Sequence, residues 1–150
     1  MIKIQIALCK GTGLVSSVIK WWTRSKYSHV ALILNEKVMF ASVPNKGTMF
    51  IRIWDKSDYD TFDVLITEEQ YSELFKYCTD ENGCDYDWIG IILSQIVAMN
   101  RESDTKWFCS EFVISALIKI GVSPNVGLRP SRFSPEDIHK FIINYMEKNK

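Results

Sequence analysis

The chain is short of several things, and each shortage narrows what it is. It carries no surplus of charge, with 18 basic residues against 18 acidic ones over 150 positions. A balanced surface offers no broad basic field, so neither nucleic acid nor an anionic membrane is expected as a partner. Long apolar runs are also missing. The longest, from Trp88 to Met99, is interrupted by Ser94 and Gln95 and falls short of the ~20 residues that span a bilayer. The opening stretch MIKIQIALCKG has neither the long apolar region nor the small-residue cleavage site of a secretory leader. A cytoplasmic location is the expectation.

Cysteine and histidine are scarce. Cys9, Cys78, Cys84 and Cys109 form no C-x-x-C pair, and neither His29 nor His139 stands at zinc-ligand spacing from them. No metal or organic cofactor is therefore indicated. A chain of this length can bury a core without staples, so reduced thiols are expected rather than disulfides. There are only 4 prolines and 7 glycines, scattered through the chain. No repeat, low-complexity stretch or linker divides it, which leaves one domain over 1–150.

What is present reads as strands first and helices later. Ile2, Ile4, Ile6 and Leu8 alternate with polar neighbours, as on a half-buried strand. Thr12 can cap a helix through Leu14, Val15, Val18, Trp21 and Trp22. Ser28–Leu34 is almost wholly apolar and rich in branched residues, the mark of a central strand. A tight turn at Asn35–Lys37 leads to a strand over Val38–Val43. Further strands follow at Thr48–Trp54 and Thr61–Ile66. Thr67 with Gln70 is a capping-box pair ahead of the helical spacing Tyr71, Leu74, Phe75, Cys78. Helices are also expected over Trp88–Met99 and Phe108–Ile120, the latter stopped by Gly121. Ser134-Pro135-Glu136-Asp137 starts a last helix with a cap, a first-turn proline and two acids. The order predicts an α+β domain, a mostly antiparallel sheet with helices packed on it.

Two residues could carry chemistry. Cys109 falls at the start of its expected helix, where peptide dipoles and unpaired N–H groups favour thiolate over thiol. A thiol that titrates near ~8.5 drops by several units at a helix N-terminus beside an imidazolium. Those N–H groups could also hold an oxyanion. Against this, Cys109 continues the stripe Phe112, Val113, Ala116, Leu117, Ile120, and a buried inert cysteine is the commoner case. His29 lies near the start of the central strand, on the side of Ala31 and Ile33 by alternation. His139 sits mid-helix beside Lys140, where solvation is the simpler role. If Cys109 has a base, His29 is the better candidate.

Tyr27-Ser28-His29-Val30-Ala31-Leu32 and Trp107-Phe108-Cys109-Ser110-Glu111-Phe112-Val113 resemble the histidine strand and cysteine helix of the permuted papain-like amidases. These are the YaeF/YiiX-like members of the NlpC-type superfamily, related to the lecithin retinol acyltransferases. In that permuted group His precedes Cys, as here. Tyr86-Asp87-Trp88-Ile89-Gly90 and Ser134-Pro135-Glu136-Asp137 are further echoes, so the resemblance runs from about Ile4 to Ile138.

The resemblance implies a permuted papain-like fold with the nucleophile Cys109 at a helix N-terminus and His29 as general base. Glu111 matches the acid after the cysteine and would buttress the site, with an exposed helix acid as the plainer role. Tyr86 and Trp88 would wall the cleft, although core packing is the simpler role for Trp88, and Ser28 would support the histidine. The orienting third residue departs from the pattern. Relatives carry Glu in a V-I-E-A context, and Phe40 of Val38-Met39-Phe40-Ala41 stands there. Ser42 shares the face of Phe40 and is the substitute candidate. The implied reaction is cleavage or transfer at an amide or ester through a thioester, on a peptide-like or acyl substrate. The alternatives are a binding module that kept the fold without the chemistry, a lipid acyltransferase or thioesterase, and a structural protein whose Cys109 and His29 never meet.

Overall fold

A computed structural model describes residues 1–11, 20, 25–43, 46–53, 55–84, 109–122, 130 and 133–148. Among them the chain is α+β. Five strands, β1 (Ile2–Cys9), β2 (His29–Asn35), β3 (Val38–Val43), β4 (Gly47–Arg52) and β5 (Tyr59–Ile66), precede three helices, α1 (Glu68–Asp80), α2 (Cys109–Lys119) and α3 (Pro135–Lys148). The strands form one sheet in the order β4-β3-β2-β1-β5, antiparallel throughout. β2 is the middle strand, as its continuous apolar run required. The helices expected after Thr12 and over Trp88–Met99 lie outside the described residues.

Alternation splits the sheet into two faces. Ile4, Ile6, Leu8, Val30, Leu32, Leu34, Phe40, Val64 and Ile66 join the helices in the main core. Ala7, Ala31, Ile33, Met39 and Ala41 make a second cluster on the other face. The smaller residues of this second set still pack as an apolar layer rather than a wet surface.

α2 is the central helix. Cys109 through Ile114, Ala116 and Leu117 are all buried, so its first turns are covered on every side, while Ser115, Ile118 and Lys119 leave one side of its C-terminal half open. It packs on β2 and β3, with α1 and α3 beside it. Phe112 anchors it: its ring lies 4.9 Å from Phe40 and stacks on Tyr77 of α1 at 5.4 Å.

Each helix ends as local chemistry dictates. Thr67 and Gln70 form the reciprocal capping box at the start of α1. At the end of α2, Gly121 takes φ 72°. Val122 N–H donates to the Leu117 carbonyl and Gly121 N–H to that of Ile118, the paired bonds of a Schellman stop. Ser134 caps α3, its hydroxyl accepting from Asp137 N–H at 3.2 Å while the Asp137 carboxylate accepts from Ser134 N–H at 2.9 Å.

Candidate functional site

Two sets of contacts fix the surroundings of α2 and of the segment before β2. The Gln70 amide donates to the Ile120 carbonyl at 2.8 Å. Gln70 follows directly on β5, whose last residue, Ile66, is paired with Ile2. The C-terminal end of α2 therefore lies beside the start of α1, close to the end of β5. The second set begins next to Cys109. Ser110 hydroxyl donates to the Phe133 carbonyl, just before α3. Ser25 hydroxyl donates to Glu136 of α3 at 3.2 Å, and His139 packs edge-on against Tyr27 at 5.2 Å. Tyr27 in turn donates to Asp60 at 2.7 Å. The chain is thus pinned to α3 and β5 immediately before His29.

Cys109 is the first described residue of α2 and is buried, 5% exposed. It belongs to the core cluster of Val30, Leu32 and Phe40. His29 is the first residue of β2 and is partly buried. Desolvation holds its imidazole down to about 4, against an ordinary value of 6.5, because a charged ring loses more in an apolar setting than a neutral one. At neutral pH the ring is therefore the free base. The backbone N–H of Ser28, itself buried, donates to the Cys9 carbonyl at 2.9 Å and starts the β1–β2 ladder.

The strand register decides which side chains share a face with His29. A plain two-residue hairpin at Glu36–Lys37, starting from the pair Asn35–Val38, would set Ser42 opposite Ala31. Instead the register slips by one residue between Ile33 and Asn35, and Leu32 pairs with Phe40. Such a slip turns every side chain of the partner strand to the other face. Phe40 and Ser42 accordingly lie on the face of α2, with Ser42 fully buried and paired with Thr48. Alternation assigns His29 to the other face, with Ala31 and Ile33. On that face β3 offers Met39, Ala41 and Val43, all apolar.

The same alternation bears on the main pair. Cys109 packs in the core on the α2 side of the sheet, whereas alternation sets His29 with Ala31 and Ile33 on the other face. Glu111 is buried at 6% exposure rather than solvent-exposed. Its charge is among the smaller causes raising the Tyr77 hydroxyl, which burial chiefly raises. Tyr86 and Trp88 fall outside the described residues. None of the four cysteines is in a disulfide. Burial pushes the Cys78 thiol up to about 12 and raises Cys9 as well.

One neighbour of His29 carries no mark in the sequence. Cys9 stands directly opposite it on β1, and Tyr59 stands opposite Cys9 on β5. Only the register of three strands distant in sequence brings these side chains into one row. Among the described residues no group of three His, Cys, Asp or Glu side chains could hold a metal, and no described helix is long and apolar enough to cross a membrane. No protein-family model matches the chain, and no characterised protein matches it significantly.

Proposed function

We propose that the protein is a cysteine hydrolase of the permuted papain-like type, cutting or transferring an acyl group at an amide or ester. Cys109 is the nucleophile and His29 the base. The observation that supports this reading is a buried cysteine at the first described position of the central helix, packed on the middle strand that the neutral His29 begins. Cys109 Sγ attacks the carbonyl carbon as His29 takes the thiol proton. The tetrahedral intermediate collapses to a thioester, and the leaving amine or alcohol departs with that proton. Water, activated by His29, then frees the acid and restores the thiol. Peptide-like amides are the favoured substrates, with lipid acyl groups the alternative.

The test is the pH dependence of Cys109 alkylation by iodoacetamide, read by peptide mapping in the parent and in His29→Ala. An inflection well below the ordinary thiol range that vanishes without His29 supports the pair. A normal inflection unaffected by His29 rejects it.

The register favours a second reading, a binding module that keeps the fold without activated chemistry. His29 shares its face with Ala31 and Ile33 rather than with Phe40 and Ser42. Rapid stoichiometric labelling of Cys109 at neutral pH rules against this reading.

A further inference from the structure

The His29 end of the sheet holds two side chains, Cys9 and Tyr59, that the thiol chemistry of Cys109 leaves unused. The ladder sets Tyr59 of β5 opposite Cys9 of β1, and Cys9 opposite His29 of β2. Directly opposed residues in an antiparallel pair stand about 4.5–5.5 Å apart at Cβ, on one face of the sheet. Tyr59 lies close enough to Cys9 to ease ionisation of the thiol, and Cys9 in turn raises the Tyr59 hydroxyl. The strand on the other side of β2 presents only Met39, Ala41 and Val43 on this face. Among the described residues of β1 and β3, Cys9 is the polar side chain within cross-strand reach of the ring.

We propose that Cys9, held by Tyr59, is the positioning residue for the His29 imidazole, in the place a carboxylate takes in most triads. The catalytic meaning of this role rests on the reading of Cys109 and His29 above. A thiol accepts weakly at sulfur and donates weakly through S–H. One ring N–H of His29 and the Tyr59 hydroxyl both donate to Cys9 Sγ. Holding one ring nitrogen in its protonated form leaves the other as the lone pair that takes the Cys109 proton. Cys9 suits this part better than a nucleophile's, because burial, assisted by the nearby Asp58 charge, keeps its thiol protonated.

Imidazole nitrogen–proton NMR spectra report the tautomer of each ring without requiring turnover. The chain has only 2 histidines, and His139→Gln assigns them. One tautomer of His29 is expected to dominate in the parent. Cys9→Ala should change the tautomer ratio by about threefold, the worth of a weak hydrogen bond, while Cys9→Ser retains it. Tyr59→Phe should give a smaller change in the same direction. An unchanged ratio in folded Cys9→Ala overturns the proposal. Should that variant not fold, an unchanged ratio in Tyr59→Phe overturns it. Alkylation of Cys109 in the same samples separates the two claims. A Cys9-dependent tautomer with an inert Cys109 keeps the positioning role and removes the catalysis.

Discussion

The rings of Phe40 and Phe112 lie 4.9 Å apart, tilted by 35°, and this contact seats the central helix on the middle of the sheet. Phe112 touches β3 on one side and Tyr77 of α1 on the other. It therefore joins three elements through one side chain. Phe112→Ala leaves a cavity where both neighbours converge, and a loss of about 3–5 kcal/mol of stability is expected. Urea unfolding of the variant against the parent checks it.

Gly121 ends α2 with a left-handed backbone at φ 72°, yet nothing lies within 4 Å of where a Cβ would stand. The cost of Gly121→Ala is then backbone strain alone, about 1 kcal/mol. Thermal unfolding should show a small drop in midpoint with an unchanged spectrum. A drop comparable to that of Phe112→Ala would mean that the glycine is also needed for packing.

His29 makes stability depend on pH, and the sign follows from its depressed value. The folded ring titrates near 4 and the unfolded one near 6.5, so between those values the unfolded chain binds more protons. Its contribution is complete above about pH 6.5, falls as the pH is lowered toward 4, and changes no further below that. The full span is on the order of 3 kcal/mol. In His29→Gln this component should disappear. Denaturant midpoints for parent and variant between pH 4 and 7 isolate it, since the other groups titrate alike in both.

Cys109→Ala should abolish turnover of an amide or ester substrate while leaving the fold intact, because only the sulfur atom is removed from the first described position of α2. Loss of a nucleophile in acyl transfer costs on the order of 10⁶-fold in kcat when the hydroxyl or thiol acts covalently. A folded variant with undiminished turnover would exclude Cys109 as nucleophile.

The contrast between Thr67 and Ser42 shows what could be read along the chain. Thr67 and Gln70 are three residues apart, and their capping box is the same in any tertiary setting. The Asp137 partner of Ser134 and the stop at Gly121 are equally local. Ser42 depends on a slip of one residue between β2 and β3. The alternation Phe40–Ser42 was legible, whereas the face that this pair presents to β2 was not.

Among the described residues, the five strands and three helices, the central place of β2 and the α+β order followed from the sequence by itself, because propensity, apolar period and end-capping act within a few residues. The candidate roles of Cys109 and His29 came from short motifs in the same way. Only the tertiary structure decided that the first turns of α2 are buried on every side, that Glu111 is buried, and that Cys9 faces His29 with Tyr59 beyond it. Those facts depend on pairing between segments far apart in the chain, where a shift of one residue in register exchanges the two faces of a strand.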